Sequence, residues 1–91
     1  MNEQLSYVNS NLTRFVDELK DFLRIPSISA DSAYDKETRR AAEHVADEAR
    51  KIGLEHVAVM DTARHPVVYA DWLHADGKPT VLIYGHYARY Q

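Results

Sequence analysis

Four consecutive apolar residues, Val81, Leu82, Ile83 and Tyr84, followed by Gly85-His86-Tyr87, constrain this 91-residue chain more than any other segment. A short apolar run without polar alternation reads as a strand covered on both faces. The Gly-His that closes it puts an imidazole at the strand tip, where a metal ligand would stand. A catalytic zinc needs about three protein ligands, and a two-metal site needs more, including a bridging carboxylate. The run therefore makes two demands on the chain: cover for both faces, and partners for His86.

Size limits how the first demand can be met. Ninety-one residues make one small domain, with 45% hydrophobic and 27% charged residues, which fits a folded chain rather than a disordered one. A core of this size leaves only a few kcal/mol of net stability, so oligomerisation is an expected supplement. The net charge of −3, with both signs interspersed, leaves no basic footprint for nucleic acid. Cysteine is absent, which removes disulfides, thiolate metal sites and a cysteine nucleophile. No basic stretch leads into an apolar core at the start, and no apolar run approaches the roughly 20 residues of a membrane span. A cytoplasmic setting with no membrane partner is expected.

Periodicity divides the chain. Leu5, Val8, Leu12, Phe15, Leu19 and Phe22 alternate spacings of three and four, widened by Val16 and Leu23. This predicts one helix over about 4–24, ended by Pro26. The spacing also suits a coiled-coil seam, but fewer than three heptads favour a single face buried in the core. A loop over 25–34 follows, in which Asp31, Ser32 or Asp35 can cap a second helix over about 36–52. The inner face of that helix reads as Ala42, Val45, Ala46, Ala49 and Ile52, with Gly53 as the left-handed residue after its end. Strands are expected over about 54–60, 67–73 and 80–85, the last two joined by a turn at Asp76-Gly77. The fold class is α/β (α+β): two helices on a small three-stranded sheet in the order α-α-β-β-β. Such a sheet has two open edges, which tend to pair with another chain.

Several segments, in order and at matching spacing, carry a family resemblance over nearly the whole chain. They are Phe22-Leu23-Arg24-Ile25-Pro26-Ser27-Ile28-Ser29, Arg40-Ala41-Ala42-Glu43, Lys51-Ile52-Gly53-Leu54, His65-Pro66-Val67-Val68-Tyr69-Ala70 and Val81-Leu82-Ile83-Tyr84-Gly85-His86-Tyr87. Together they resemble the N-terminal part of the M20 metallopeptidases, nearest the dipeptidase-like, carnosinase-related enzymes. The resemblance implies a fragment of a catalytic domain that holds two zinc ions, in a family whose members also carry a dimerising insert. It makes His86 the first zinc ligand, in a His-x-Asp motif whose bridging Asp belongs at position 88. This chain has Ala88 there, and Ala88-Arg89-Tyr90-Gln91 in place of Asp-Val-Gln-Pro. The general-base Glu pair and the remaining ligands belong further along and are absent. His86 is thus a vestigial ligand position. The departure after Tyr87 reads as a truncation, a frame change or an engineered end. Smaller departures are His44, where an aromatic is expected, and Arg64, where Gly often precedes His-Pro.

The other chemistry-bearing residues have plainer readings. His44, His56, His65 and His74 match no ligand spacing, and His-Glu-x-x-His does not occur. Asp47 and Glu48, three and four residues after His44, offer a weak surface site on one helical face. Ser27 and Ser29 read as turn or cap residues, and the Gly-x-Ser-x-Gly elbow is missing. Tyr69, Trp72, Tyr84, Tyr87 and Tyr90 make the C-terminal half aromatic, as core and subunit contact or as an apolar pocket.

Three functions are therefore expected. The first is a truncated M20-type, dipeptidase-like metallohydrolase fragment without zinc-peptidase activity. The second is a self-associating structural or interaction module. The third is a small esterase-like hydrolase with a site formed at an oligomer interface. Enzymatic status is open: the chain is a hydrolase by resemblance, with most metal ligands and the general base absent. No cofactor is expected in this chain, zinc being that of the family. The expected partner is a second copy, met through an exposed sheet edge or apolar faces.

Overall fold

The computed structural model describes residues 1–89. The architecture is α+β: helices α1 (Asn2–Ser10), α2 (Leu12–Leu23) and α3 (Asp35–Lys51), a 3-10 turn over Ser32–Tyr34 before α3, and strands β1 (Glu55–Met60) and β2 (Val67–Asp71). The strands form a two-stranded antiparallel sheet, with Ala58 opposite Tyr69, Val59 opposite Val68 and Met60 opposite Val67. The molecule extends over 44 × 32 × 19 Å.

The core lies between α3 and the sheet. Thr38, Ala41, Ala42, Ala46 and Ala49 are buried along one stripe of α3, and Ile25 and Ser27 close its lower end from the preceding loop. Small side chains at spacings of three and four let the helix axis approach the sheet closely. The half-buried Val57, Ala58 and Val59 of β1 and Val68 and Ala70 of β2 supply the other wall. Three positions differ from the pattern expected of the sequence. Ile52 stands 75% exposed beyond the last turn, and Thr38 with Ala41 extends the buried stripe toward the N-terminus instead. The helix ends in a Schellman arrangement: Gly53, at φ +92°, donates to the Arg50 carbonyl and Leu54 to that of Ala49. That φ is why Gly occupies this position. The expected cap falls on the 3-10 turn: Asp31 accepts from the Ala33 N–H at 2.9 Å, and Tyr34 precedes α3 without a side-chain cap.

The first helix differs from expectation twice. It is broken at Asn11 (φ −112°, ψ 9°), whose backbone N–H and side-chain amide both donate to the Tyr7 carbonyl. Ser10 and Asn11 offer the backbone competing hydrogen bonds, which is how such residues interrupt helices. Its apolar stripe is also largely uncovered, with Leu12, Val16, Leu19 and Leu23 exposed. Tyr7 packs on Phe15 across the break, and Phe22 stacks on His44 of α3.

The third expected strand does not form. Lys78 donates to the Ala75 carbonyl and Gly77 takes φ +73°, so the Asp-Gly turn is present. Beyond it the backbone over 80–87 belongs to no strand, and Val81, Leu82, Ile83 and Tyr84 are 79–90% exposed. The reason is the missing cover: α3 already occupies one sheet face, and among the described residues no second layer stands on the other. Order returns at the end of this segment. The Tyr87 hydroxyl donates to the Pro66 carbonyl at 2.7 Å, the Arg89 N–H donates to Ser27, and Ser29 donates to Arg89 through both backbone and hydroxyl. Tyr90, the last member of the aromatic group, lies outside the described residues. No helix among the described residues is long and apolar enough to cross a membrane.

Candidate functional site

His86, the sequence-derived ligand, stands exposed on the unpaired segment and meets Tyr84 edge-on, ring centroids 5.5 Å apart. Ala88, two residues on, offers no donor atom. Among the described residues His86 belongs to no group of metal-ligating side chains, and one imidazole alone does not fit a dinuclear zinc centre. The residues present therefore do not accommodate the metal pair that the family resemblance implies.

The remaining histidines divide into structural and clustered ones. His65 donates from Nε2 to the Ser29 carbonyl at 2.8 Å, tying the β1–β2 turn to the loop after α2. In the same turn the Thr62 hydroxyl bridges the Arg64 N–H and the His65 carbonyl. His44 lies 3.9 Å from Glu48, while Asp47 pairs with Arg50, so the weak surface site expected on α3 is not assembled. Ser27 and Ser29 serve the backbone clamp on Arg89.

His56 and His74 converge with two carboxylates at the open end of the hairpin. Glu55 and His56 begin β1, and Asp71 ends β2 opposite them. A bulge lies between Glu55 and Ala58, and His56 within it takes φ +53°. Left-handed backbone costs a non-glycine residue about 1–2 kcal/mol. It also breaks the alternation that would send Glu55 and His56 to opposite faces. As a result, ligand atoms of Glu55, His56 and Asp71 lie within 4.8 Å of one another. His56 Nδ1 is 2.8 Å from Asp71 Oδ1, and His74 Nε2 is 2.8 Å from Glu55 Oε2. The Tyr69 hydroxyl donates to Asp71 Oδ2 at 2.8 Å, and Trp72 meets the His74 ring edge-on.

The side chains differ in freedom. The Asp71 side chain is 14% exposed, whereas that of His56 is 72% exposed. The His56 and Tyr69 hydrogen bonds hold the Asp71 carboxyl below its ordinary range, and the Asp71 bond raises the His56 imidazole. The same bond to Asp71 raises the Tyr69 phenol. Asp71 is thus an anchored anion with two exposed imidazoles and a second carboxylate around it. Spacing along the chain gives no hint of this, since no two of the four residues match a ligand motif. Counting outward from the hairpin turn, with Met60 opposite Val67, brings residue 56 level with residue 71, but the bulge makes Glu55 the partner of Asp71.

No family model, curated protein or solved structure matches the chain.

Proposed function

We propose that this chain is a self-associating α+β module of M20-type descent, acting by association rather than by peptide hydrolysis. One observation carries the association: four consecutive apolar side chains, 81–84, stand 79–90% exposed in a chain whose sheet has two strands. Exposed apolar runs of this kind mark surfaces that bind protein, and a two-stranded sheet with unpaired edges gains from added strands. The occupant we propose is a second copy, whose own 81–84 segment carries the same unmet demand, so that one pairing serves both chains. The descent rests on the five ordered sequence segments, and the lack of peptidase chemistry on the donor set at His86 and Ala88.

Light scattering across a concentration series tests this directly. The expected result is a dimer or higher oligomer that Leu82→Asp with Ile83→Asp converts to monomer, with circular dichroism retained. A wild-type monomer at all concentrations would sink the proposal. A dipeptide assay with and without chelator addresses the chemistry. The expected result is no turnover, and chelator-sensitive cleavage would restore a metallopeptidase.

A further inference from the structure

We propose that Glu55, His56, Asp71 and His74 form a site for a divalent transition-metal ion, with Zn²⁺ as the type. The four residues belong to neither the His86 motif nor the self-association surface, and the inference does not depend on either.

Two imidazoles and two carboxylates are the ligands that zinc and its neighbours accept, whereas calcium and magnesium want oxygen throughout. Four side chains make a closed, tetrahedral complement of the kind structural zinc sites use. Two carboxylates also balance the ion's charge, so a neutral centre results without further counter-ions.

Three of the four ligand atoms lie within 4.8 Å of one another, and the fourth residue, His74, touches Glu55 at 2.8 Å. In a tetrahedral zinc site with bonds near 2.0–2.1 Å, adjacent ligand atoms stand about 3.3 Å apart. The two N···O contacts of 2.8 Å would each open by roughly 0.5 Å to admit the ion. Asp71 need not move far, because Tyr69 holds its other oxygen, the outer-sphere support that orients ligating carboxylates. His56 and His74 are exposed and free to turn onto it. Binding would exchange the His56–Asp71 and His74–Glu55 contacts for four bonds to one centre, tying the start of β1 to the end of β2 and to the segment beyond it.

The test is a titration of ZnCl₂ into the metal-free chain followed by calorimetry, with Co²⁺ absorption as a reporter of coordination number. One ion per chain is expected, with an intense four-coordinate Co²⁺ band, while Mg²⁺ and Ca²⁺ give no saturable signal. His74→Ala and His56→Gly should each weaken Zn²⁺ at least about tenfold. The glycine suits the positive φ at position 56, so that variant keeps the hairpin while removing the ligand. His44→Ala and His86→Ala should bind as the wild type does. Unchanged affinity in the His56→Gly, His74→Ala double variant would overturn the assignment. So would loss of binding in His86→Ala, or no saturable Zn²⁺ binding at all. Any of these outcomes would leave the four residues as a plain ion-paired cluster.

Discussion

Helices α2 and α3 carry apolar residues at the same three-and-four spacing, and the fold treats them oppositely. On α3 the stripe is Thr38, Ala41, Ala42, Ala46 and Ala49, all buried against the sheet. On α2 it includes Leu12, Val16, Leu19 and Leu23, all exposed. Measured by apolar area per residue, the leucines have more to gain from burial. Position in the chain decides otherwise. α3 runs directly into β1 through the Gly53 turn, so its cover is the next element along. α2 is followed by the loop that Pro26 enforces, and it reaches α3 through Phe22 on His44. An amphipathic pattern identifies the face that would profit from cover; the connections determine whether cover arrives.

Substitutions should break this contrast first at α3. Ala46→Leu inserts three carbons where the wild-type residue has no exposed surface, and overpacking of this kind costs about 1–3 kcal/mol. Denaturant unfolding should show that loss, while a midpoint equal to wild type would mean that the helix–sheet seam yields easily. Gly53→Ala comes next, at about 1 kcal/mol, because the +92° φ is left-handed even though the space around a Cβ is open. Thr38→Val should go the other way. Its buried hydroxyl has no hydrogen-bond partner among the described residues, so removing it should leave stability equal or raise it by up to about 1 kcal/mol. A marked loss would show that the hydroxyl bonds to an ordered water.

How much of this was legible beforehand follows the range of the interactions. The second helix, its Gly53 terminus and the two paired strands depend on neighbours within a few residues, and the sequence patterns located each within a residue or two. The break at Asn11 came from a local competition that the apolar stripe ran across. The third strand failed because an apolar run states a need for cover without supplying it. The Glu55, His56, Asp71 and His74 cluster depends on a bulge, and a single left-handed residue has no composition signal when that residue is His rather than Gly.

On α2 the expected effect is smaller, and its size sharpens the comparison. Leu19→Ala should change stability by no more than about 0.5 kcal/mol if the stripe is bare in solution. A cost of 2 kcal/mol or more, of the kind buried leucines show, would mean that a partner covers it, and the cost should then grow with protein concentration. The smallest effect belongs to pH. The raised His56 contributes stability that is complete below about pH 6.5 and lost as pH rises through its folded value. The lowered Asp71 contributes stability that is complete above about pH 3.9 and lost on acidification through its folded value. Metal-free protein should therefore be slightly more stable near pH 5 than at pH 8, and this difference should disappear in His56→Gly. His56 faces solvent, so 1 M salt should flatten it as well.

The stretch from Trp72 to His86 combines exposed backbone with Trp, Leu and Tyr side chains, the residues that a chymotrypsin-type protease selects. Its cutting rate is accordingly a clock for cover. A free chain should be nicked within this stretch before any other. An assembled chain, with the same bonds sheltered in a shared sheet, should resist at concentrations where copies meet and lose that resistance on dilution.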